Sequence, residues 1–346
     1  MIPISFRNLK PTDRVFIGWD SWNGYSQNLK HYLQQFGCSR VKDDCPNKGY
    51  RINYSKKKYI CTLCLCIFRG FLEFFRADAF FFFHGASLFF PVPYRIDLFA
   101  DWMNRFRFWD LWLFRVFRKK VYLVFQGNDI RDYAIDIPSQ QLLRKCYASD
   151  AYLRSVYRAL PFAEAIVVST PDLLEHIPPK FRPKAIWVPK LLTLPEIPRV
   201  DHFPYALKIL HAPSDPVIKG TAFLTTAMQA VRKKYPQLQW IVCTNVPNQQ
   251  ILQTAQSCFC AIDQLCSCKW YGHFALEMMS LGLPIITFLS MELKERFQCP
   301  ILALDPEHLA ESIEKHLDFL LVPDHYHHQV QQQYEFLKKF HLPKGG

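Results

Sequence analysis

The chain has 346 residues, half of them hydrophobic, and carries a formal net charge of +12. This length predicts two domains, and the apolar content excludes an intrinsically disordered chain. No window of about eighteen residues is free of charged or polar side chains, and the first residues lack the apolar core of a signal peptide. The sequence therefore predicts a cytoplasmic protein without a transmembrane helix.

The positive charge is compatible with nucleic acid, a membrane surface or an anionic substrate as the partner. The basic residues are spread along the chain without a compact nucleic-acid motif, so we expect no nucleic-acid partner. The twelve cysteines are expected to be reduced thiols, mostly in the core. Cys258 and Cys260 alternate within an apolar run, which favours the core over a zinc site, and we predict no metal.

In the first half of the chain, short apolar runs alternate with helical patterns. The strand candidates are "RVFIGWD", "AFFFFHG", "KVYLVFQG", "AIVVST" and "AIWVP". Helices are predicted over 26–36, 58–75, 96–117 and 140–159. This alternation predicts a parallel sheet with helices on both faces.

The second half repeats the alternation, with a helix predicted over 220–234 and strand candidates "ALKILHAP", "QWIVCTN", "CFCAIDQL", "LPIITFL" and "ILALD". Between the halves, "KLLTLPEIPRVDHFP" is proline-rich and aperiodic, which is typical of a linker. The predicted fold class is α/β, with two Rossmann-like doubly wound domains facing across a cleft. The predicted domains are 1–194 and 205–322, with a linker at 195–204 and a helical tail at 323–346 that packs back on the N-terminal domain.

Three polar segments are predicted at strand ends along one edge of the second sheet, where ligands of such sheets bind. The first, "HAPSDPVIKGT", places Lys219 at a helix start, where a cation suits a diphosphate, although a lone lysine there is usually only solvated. The second, "AIDQL", places Asp263 at a strand end. The third, "CKWYGHFALEMMSLGLPIITF", has Gly272 for a tight turn, with His273 and Phe274 starting a helix.

Glu277 follows within the first two turns of that helix. Its carboxylate can accept two hydrogen bonds from a vicinal diol such as a ribose. The alternative is a glutamate that only interacts favourably with the helix dipole.

Together, "HAPSDPVIKGT" and "DQLCSCKWYGHFALEMMSLGLPI" resemble the C-terminal domain of the family-four retaining glycosyltransferases, which have the two-Rossmann-domain (GT-B) architecture. The resemblance implies that Lys219 holds the donor diphosphate and that Glu277 binds the nucleotide ribose. It also implies that the backbone amides from Gly272 to Phe274 contact the phosphate and the donor sugar. The other donor-site candidates in these segments are His211, Ser214, Asp263 and His273.

The resemblance extends into the first half. "FIGWDSWNGYSQNLKHYLQQFG" resembles the family's loop that closes over the donor, which contains Gly24, and "AFFFFHGASL" resembles its strand ending in a histidine. That histidine, His84, is a catalytic candidate beside Lys219, or else a strand-end histidine with its hydrogen bonds satisfied. "FQGNDIRDY" resembles the family's "H-G-S-D-x-R" segment. It makes Asp129 and Arg131 acceptor-side candidates, unless they only pair with each other in a turn.

These resemblances imply sugar transfer from a nucleotide-sugar to a glycan or lipid-linked acceptor, without a cofactor. Three positions depart from the family pattern: Lys269 replaces a common second glutamate, Ser214 a common arginine, and Gln126 an expected histidine. The departures leave open a non-catalytic, membrane-associated scaffold of the same fold. A nucleotide-sugar 2-epimerase is the other alternative, although it needs cleft carboxylates that the sequence does not show.

The segment from Phe68 to Lys120 is rich in aromatic and basic residues. Steps of three and four residues predict one side of a helix formed by Phe99, Trp102, Phe106, Trp109, Leu113 and Phe117. That side either belongs to the core or rests at a lipid interface whose anionic head groups attract the neighbouring arginines and lysines. The second option predicts a peripheral protein on the inner face of a membrane.

Overall fold

The computed structural model describes residues 6–18, 25–43, 67–83, 86–89, 107–127, 129–132, 149–192, 194, 203–204, 206–265 and 269–343. The chain divides into two compact units, 2–190 and 191–346, each built on one parallel sheet. The predicted class of two doubly wound α/β domains is therefore confirmed. Most of the predicted linker lies outside the described residues, and its bounds stay a prediction.

The first unit has a six-stranded sheet in the order β2-β1-β3-β4-β5-β6, with every pairing parallel. Its strands are β1 (Val15–Ile17), β2 (Val41–Asp43), β3 (Ala79–Phe83), β4 (Lys120–Phe125), β5 (Ala165–Val168) and β6 (Ala185–Trp187). Its helices are α1 (Tyr25–Gln35), α2 (67–76), α3 (Leu111–Val116) and α4 (Asp150–Ala159). Strand β2 was not predicted, because its sequence VKD contains a single apolar residue and none of its side chains is fully buried.

Strand β3 shows why this sheet is buried on both faces. Phe81 and Phe83 belong to the core cluster that contains α1 side chains. Phe80 and Phe82 point the other way, with their ring centroids 4.8 and 5.6 Å from that of Phe114 on α3. A run of apolar residues without alternation is what a central parallel strand covered on both sides requires.

The predicted helix over 96–117 is wrong at 107–110 and confirmed only at Leu111–Val116, within its described part. Residues 107–110 form a turn in which Phe108 has a φ of 65°, and α3 begins only at Leu111. The Asp110 carboxylate, fully buried, accepts the backbone N–H of Phe89 at 2.9 Å, which ties this turn to the chain beyond β3. Three residues of the predicted side lie outside the described residues: Phe99, Trp102 and Phe106.

The second unit has a five-stranded parallel sheet in the order β11-β10-β9-β7-β8. Its strands are β7 (Lys208–His211), β8 (Gln239–Val242), β9 (Cys260–Ile262), β10 (Ile285–Thr287) and β11 (Leu302–Ala303). Its helices are α5 (Thr221–Lys234), α6 (Asn248–Ala255), α7 (His273–Leu281), α8 (Met291–Phe297), α9 (Leu309–Leu320) and α10 (Pro323–Phe340). Cys258 and Cys260 are fully buried, which confirms their predicted place in the core.

The C-terminal helix α10 packs against α7 and α9 of its own unit. The side-chain amide of Gln333 accepts the backbone N–H of Ile285 at 3.1 Å and donates to its carbonyl at 3.3 Å. The helix is therefore joined to the start of β10 by hydrogen bonds as well as by packing. The expectation that the tail returns to the N-terminal domain stays a prediction.

Candidate functional site

The three predicted polar segments meet at the carboxyl ends of β7 and β9. Lys219 lies in the loop between β7 and α5, and Asp263 directly follows β9. The Lys219 ammonium nitrogen lies 2.9 Å from Asp263 Oδ1 and 2.7 Å from Gln264 Oε1. The Asp263 side chain is buried and that of Lys219 is 15% exposed, so the lysine is the member of the group that reaches the surface.

Gly272 completes this cluster from the start of α7. Its backbone N–H donates to Asp263 Oδ2 at 2.7 Å. A Cβ atom at Gly272 would lie 3.1 Å from that oxygen and 3.1 Å from Lys219 Nζ. Because φ is −96°, an ordinary value for any residue, the need for glycine here comes from space and not from backbone conformation.

The backbone around Lys219 is set by its own loop. Asp215 Oδ1 accepts the N–H groups of Val217 and Ile218 at 3.0 and 3.2 Å, and the Asp215 carbonyl accepts the N–H of Lys219. Gly220 then precedes α5 in the left-handed region, with a φ of 71°. A glycine is favoured at such an angle, and the turn directs Lys219 towards Asp263.

Helix α7 begins without a side-chain cap, because its N-cap residue is Gly272. The first backbone N–H groups of a helix have no intrahelical partner, and the helix dipole is positive at that end. Such an end binds phosphate readily. Here it lies beside a lysine, so the cluster combines two features that attract an anion.

Glu277 lies in the second turn of α7 with a side chain that is 12% exposed. Its Oε1 accepts a hydrogen bond from Asn248 Nδ2 of α6 at 2.9 Å and lies 3.6 Å from His273 Nε2. The pKa of the Glu277 carboxyl is raised, mainly by burial. The hydrogen bond from Asn248 opposes this effect, and the nearby negative charge of Asp263 adds to it. The carboxylate is thus held in place while part of it faces solvent.

His211 is fully buried at the end of β7. Its Nδ1 lies 2.8 Å from the Ile262 carbonyl, and its Nε2 lies 2.9 Å from Thr221 Oγ1, at the start of α5. The ring stacks on Trp240, and burial lowers the pKa of His211. Because a carbonyl only accepts, Nδ1 carries the proton and Nε2 accepts from the threonine. His211 therefore joins β7, β9 and α5 behind the cluster.

Of the remaining donor-side predictions, Ser214 lies between β7 and α5, and His273 and Phe274 begin α7. Ser214 and His273 are exposed, and Phe274 is half-buried. Gly24, in the predicted loop of the first half, lies outside the described residues. Gln264 and Asn248 were missed by the sequence analysis. A signal for Gln264 was its place beside Asp263 at a strand end, whereas nothing local marks Asn248.

The acceptor-side candidates lie in the first unit, after β4. Asp129 is buried, and its carboxylate accepts the backbone N–H groups of Gln126 at 3.0 Å and Gly127 at 2.8 Å. Arg131 Nη1 lies 2.6 Å from Asp172 Oδ2, with the two side chains 2% and 1% exposed. Burial alone would raise the pKa of Asp172, but Arg131 keeps it below its ordinary value.

These contacts give Asp129 and Arg131 structural partners at the end of β4. His84, the other catalytic candidate, lies outside the described residues. In the described part of the chain, no group of three or more His, Cys, Asp or Glu side chains is arranged to hold a metal. No described helix is both long and apolar enough to cross a membrane.

No protein-family model matches the sequence, and no curated protein matches it. The fold does match solved structures. Sucrose-phosphate synthase from Thermosynechococcus elongatus is 13% identical, with a TM-score of 0.58 over 95% of this chain and 94% of that chain. An alpha-glucosyltransferase in complex with UDP-glucose and DNA containing an abasic site is 10% identical, with a TM-score of 0.54 over 95% of this chain and 96% of that chain.

A glycosyltransferase from Rickettsia africae is 11% identical, with a TM-score of 0.53 over 95% of this chain and 93% of that chain. The chain spans 48% and 55% of the two TarM chains that it matches. At these identities the likeness concerns the fold. The chain therefore has the two-unit α/β fold of known glycosyltransferases.

Proposed function

We propose that the protein is a glycosyltransferase that moves a sugar from a nucleotide-sugar donor to an acceptor. The observation that carries the proposal is the cluster of Lys219, Asp263, Gly272 and Glu277 at the carboxyl-end edge of the second sheet. A diphosphate needs a cation and backbone donors, and a ribose needs a carboxylate a short distance away. Neighbours of the same fold include structures with UDP-glucose or UDP, which supports a nucleotide-sugar donor.

In this proposal each residue acts on one part of the donor. Lys219 and the uncapped start of α7 bind the diphosphate, and the Glu277 carboxylate accepts hydrogen bonds from the two ribose hydroxyls. Asp263 holds Lys219 and the Gly272 amide in place. Because these groups are fixed before the donor arrives, they can stabilise the charge that develops on the leaving diphosphate without reorganising.

We further propose that the transfer retains the anomeric configuration. The bond from the sugar C1 to the diphosphate oxygen breaks, and a bond from C1 to the acceptor oxygen forms on the same face. The acceptor hydroxyl gives its proton to the departing diphosphate oxygen. Lys219 then offsets the negative charge of that leaving group, and no metal or other cofactor enters the reaction.

The test is a binding and hydrolysis panel with UDP-, GDP- and ADP-sugars. We expect one nucleoside diphosphate to bind, and Glu277→Ala to weaken it by about 1.5–3 kcal/mol, the range for a hydrogen bond to a charged group. Lys219→Ala should lower the rate of donor turnover, because the leaving diphosphate loses a cation. It should also lower stability, since it leaves the buried Asp263 carboxylate without the ammonium. The matched control for the lysine is Lys234→Ala, at the far end of α5, where the ammonium pairs with Asp318.

The same panel separates the alternatives. A non-catalytic scaffold would neither hydrolyse nor transfer from any donor, and unchanged nucleotide affinity in Glu277→Ala would remove the ribose role. A 2-epimerase would invert C2 of the donor sugar without an acceptor, which proton NMR of the product detects. Transfer to an acceptor with the anomeric configuration kept would support the proposal as stated.

A surface of the first unit bears on the acceptor. The aromatic face consists of Phe68, Phe71, Phe75, Trp109, Trp112 and Phe117, whose exposed fractions run from 47% to 64%. The rings of Phe71 and Phe75 are 5.1 Å apart, and the buried Phe74 contacts both Phe75 and Phe117. Phe74 therefore joins the exposed rings of Phe71 and Phe75 on α2 to that of Phe117 at the end of α3.

On the two described segments that carry the aromatic face, the exposed charges are positive. Within residues 67–76 and 107–120, both acidic residues, Glu73 and Asp110, are buried. The exposed basic residues of these segments are Arg69, Arg76, Arg115 and Arg118. Aromatic rings surrounded by arginines suit the interface of an anionic bilayer. Two copies of the protein that met through this face would bring their arginines together and repel each other.

We therefore propose peripheral binding of the aromatic face to an anionic membrane, on the cytoplasmic side, with a lipid-linked or cell-envelope glycan as acceptor. The described cysteines are free thiols, which fits a reducing compartment.

Liposomes with anionic lipid should bind the protein, and binding should fall as salt rises. Phe71→Ser with Phe75→Ser should abolish it, whereas Phe223→Ser on α5, where the ring is 49% exposed, should not. Protein that does not bind such liposomes at low salt would contradict the membrane proposal and favour a soluble acceptor.

A further inference from the structure

The loop that leads into α7 is held at four consecutive residues, each by a different partner. The Lys269 carbonyl accepts the N–H of Ser290 at 3.0 Å, and the Trp270 carbonyl accepts Gln264 Nε2 at 2.5 Å. The Tyr271 hydroxyl lies 2.7 Å from His341 Nε2, and the Gly272 N–H donates to Asp263. A surface loop that served only as a connection would not need these contacts.

Gln264 links this loop directly to the lysine. Its side chain is buried, with Oε1 accepting from Lys219 Nζ and Nε2 donating to the Trp270 carbonyl. Its own backbone is fixed in turn, since its carbonyl accepts the N–H of Phe288 at 2.9 Å. A single amide therefore sets the spacing between the ammonium and the loop. Glutamate of the same length lacks the donor, and leucine lacks both groups.

The pair of Tyr271 and His341 fixes the loop from the other side. Both residues are 3% exposed, and His341 is the residue that ends α10. The His341 carbonyl accepts the N–H of Leu192 at 2.7 Å, so the end of the helix is itself anchored. Phe336 of α10 packs on the Tyr271 ring, with centroids 6.1 Å apart. The C-terminal end of α10 therefore packs against the loop through Phe336 and His341.

We propose that Gln264 and the Tyr271–His341 pair are positioning residues that hold the loop and Lys219 ready for the donor diphosphate. The inference rests on the proposed function, which supplies the diphosphate. Its physical basis is that donors fixed in advance bind an anion without first being ordered. Glu277 is held separately by Asn248 of α6. Loosening the loop should therefore weaken binding of the phosphates and spare binding of the nucleoside.

The test compares nucleoside diphosphates with their nucleosides by calorimetry, using UDP, GDP and ADP. Tyr271→Phe should raise the Kd of the bound nucleoside diphosphate about fivefold to tenfold, as expected for one buried hydrogen bond. Gln264→Leu removes two hydrogen bonds and should raise this Kd by more than Tyr271→Phe does. The Kd of the nucleoside should stay within about twofold of that of the wild type. Hydrogen–deuterium exchange of the amides in 269–276 should become faster in both variants.

Two variants control for the general effect of removing a buried polar group. Tyr326→Phe removes a buried hydroxyl that donates to the Phe259 carbonyl, and Gln329→Leu removes an amide that donates to the Pro300 carbonyl. Both side chains lie on α10, and both partner carbonyls are outside the 269–272 loop, so phosphate affinity should not change. His341→Gln keeps a polar group near the Tyr271 hydroxyl and should bind the diphosphate better than His341→Leu does.

The outcomes separate the two claims. If the wild type binds a nucleoside diphosphate and the loop variants bind it as tightly, the positioning role is wrong while the proposed function stands. Equal losses for nucleoside and diphosphate would also overturn the positioning role, because they would indicate a general structural defect. If the wild type binds no nucleoside diphosphate at all, the proposed function fails, and the role of the loop residues fails with it.

Discussion

The buried ion pair between Arg131 and Asp172 offers a test of whether an acceptor-side candidate has a structural role. Arg131→Met keeps much of the side-chain volume and removes the charge. Both side chains are at least 98% buried in the wild type, with 2.6 Å between Arg131 Nη1 and Asp172 Oδ2. The substitution therefore leaves the Asp172 carboxylate buried without its cation.

The expected loss in the free energy of unfolding is about 3–5 kcal/mol, the range for breaking a buried pair from one side. The double variant Arg131→Met with Asp172→Leu should recover most of this loss, since it leaves no buried charge. The loss should also depend on pH. In the wild type the pKa of Asp172 is lower in the folded than in the unfolded state. The ion pair therefore stabilises the fold above the unfolded-state pKa, and this stabilisation disappears as the pH falls through the folded-state pKa.

In Arg131→Met, burial acts on Asp172 without the opposing arginine and raises its pKa. The variant should therefore take up this proton at a higher pH than the wild type does, and its deficit relative to the wild type should shrink as the pH falls. Urea denaturation followed by circular dichroism at several pH values measures this. The control is Arg14→Met, which breaks an ion pair with Asp78 whose side chains are 47% and 36% exposed, and which should cost much less.

A loss below about 1 kcal/mol, or one that does not change with pH, would refute the reasoning for Arg131. The double variant also bears on function. If Arg131 touches the acceptor, this variant regains stability without regaining transfer activity. If its role is structural alone, stability and transfer return together.

Three further outcomes are expected in the second unit. Burial raises the pKa of Glu277, so the wild type should lose stability relative to Glu277→Gln as the pH rises through the pKa of the folded state. If the free energies of unfolding of the two proteins change with pH in parallel, this prediction is wrong. Gly272→Ala should cost about 1–3 kcal/mol of stability and weaken diphosphate binding, because the side chains of Lys219 and Asp263 must move to make room for the Cβ atom. A wild-type affinity for the diphosphate in calorimetry would contradict this prediction. Burial also raises the pKa of the Cys260 thiol, so iodoacetamide should label it only after unfolding, as mass spectrometry would reveal.

Much of the cluster could be expected from the sequence because its residues directly follow or precede recognisable elements. Asp263 follows an apolar run that forms β9, and Gly272 precedes the apolar helix α7. In a parallel sheet the carboxyl ends of the strands lie along one edge, so residues after different strands come together without any further information. The two sheets themselves follow from apolar runs that alternate with helical periods.

The remaining contacts depended on packing between segments that the local sequence does not relate. His341 meets Tyr271 across 70 residues, and Asn248 meets Glu277 across 29. No periodicity specifies such pairs, because they follow from where α6 and α10 dock on α7. Likewise, Phe74 is buried while its neighbour Phe75 is 57% exposed. Hydrophobic spacing predicts that a helix has an apolar side, but only the arrangement of the neighbouring elements decides how much of that side is covered.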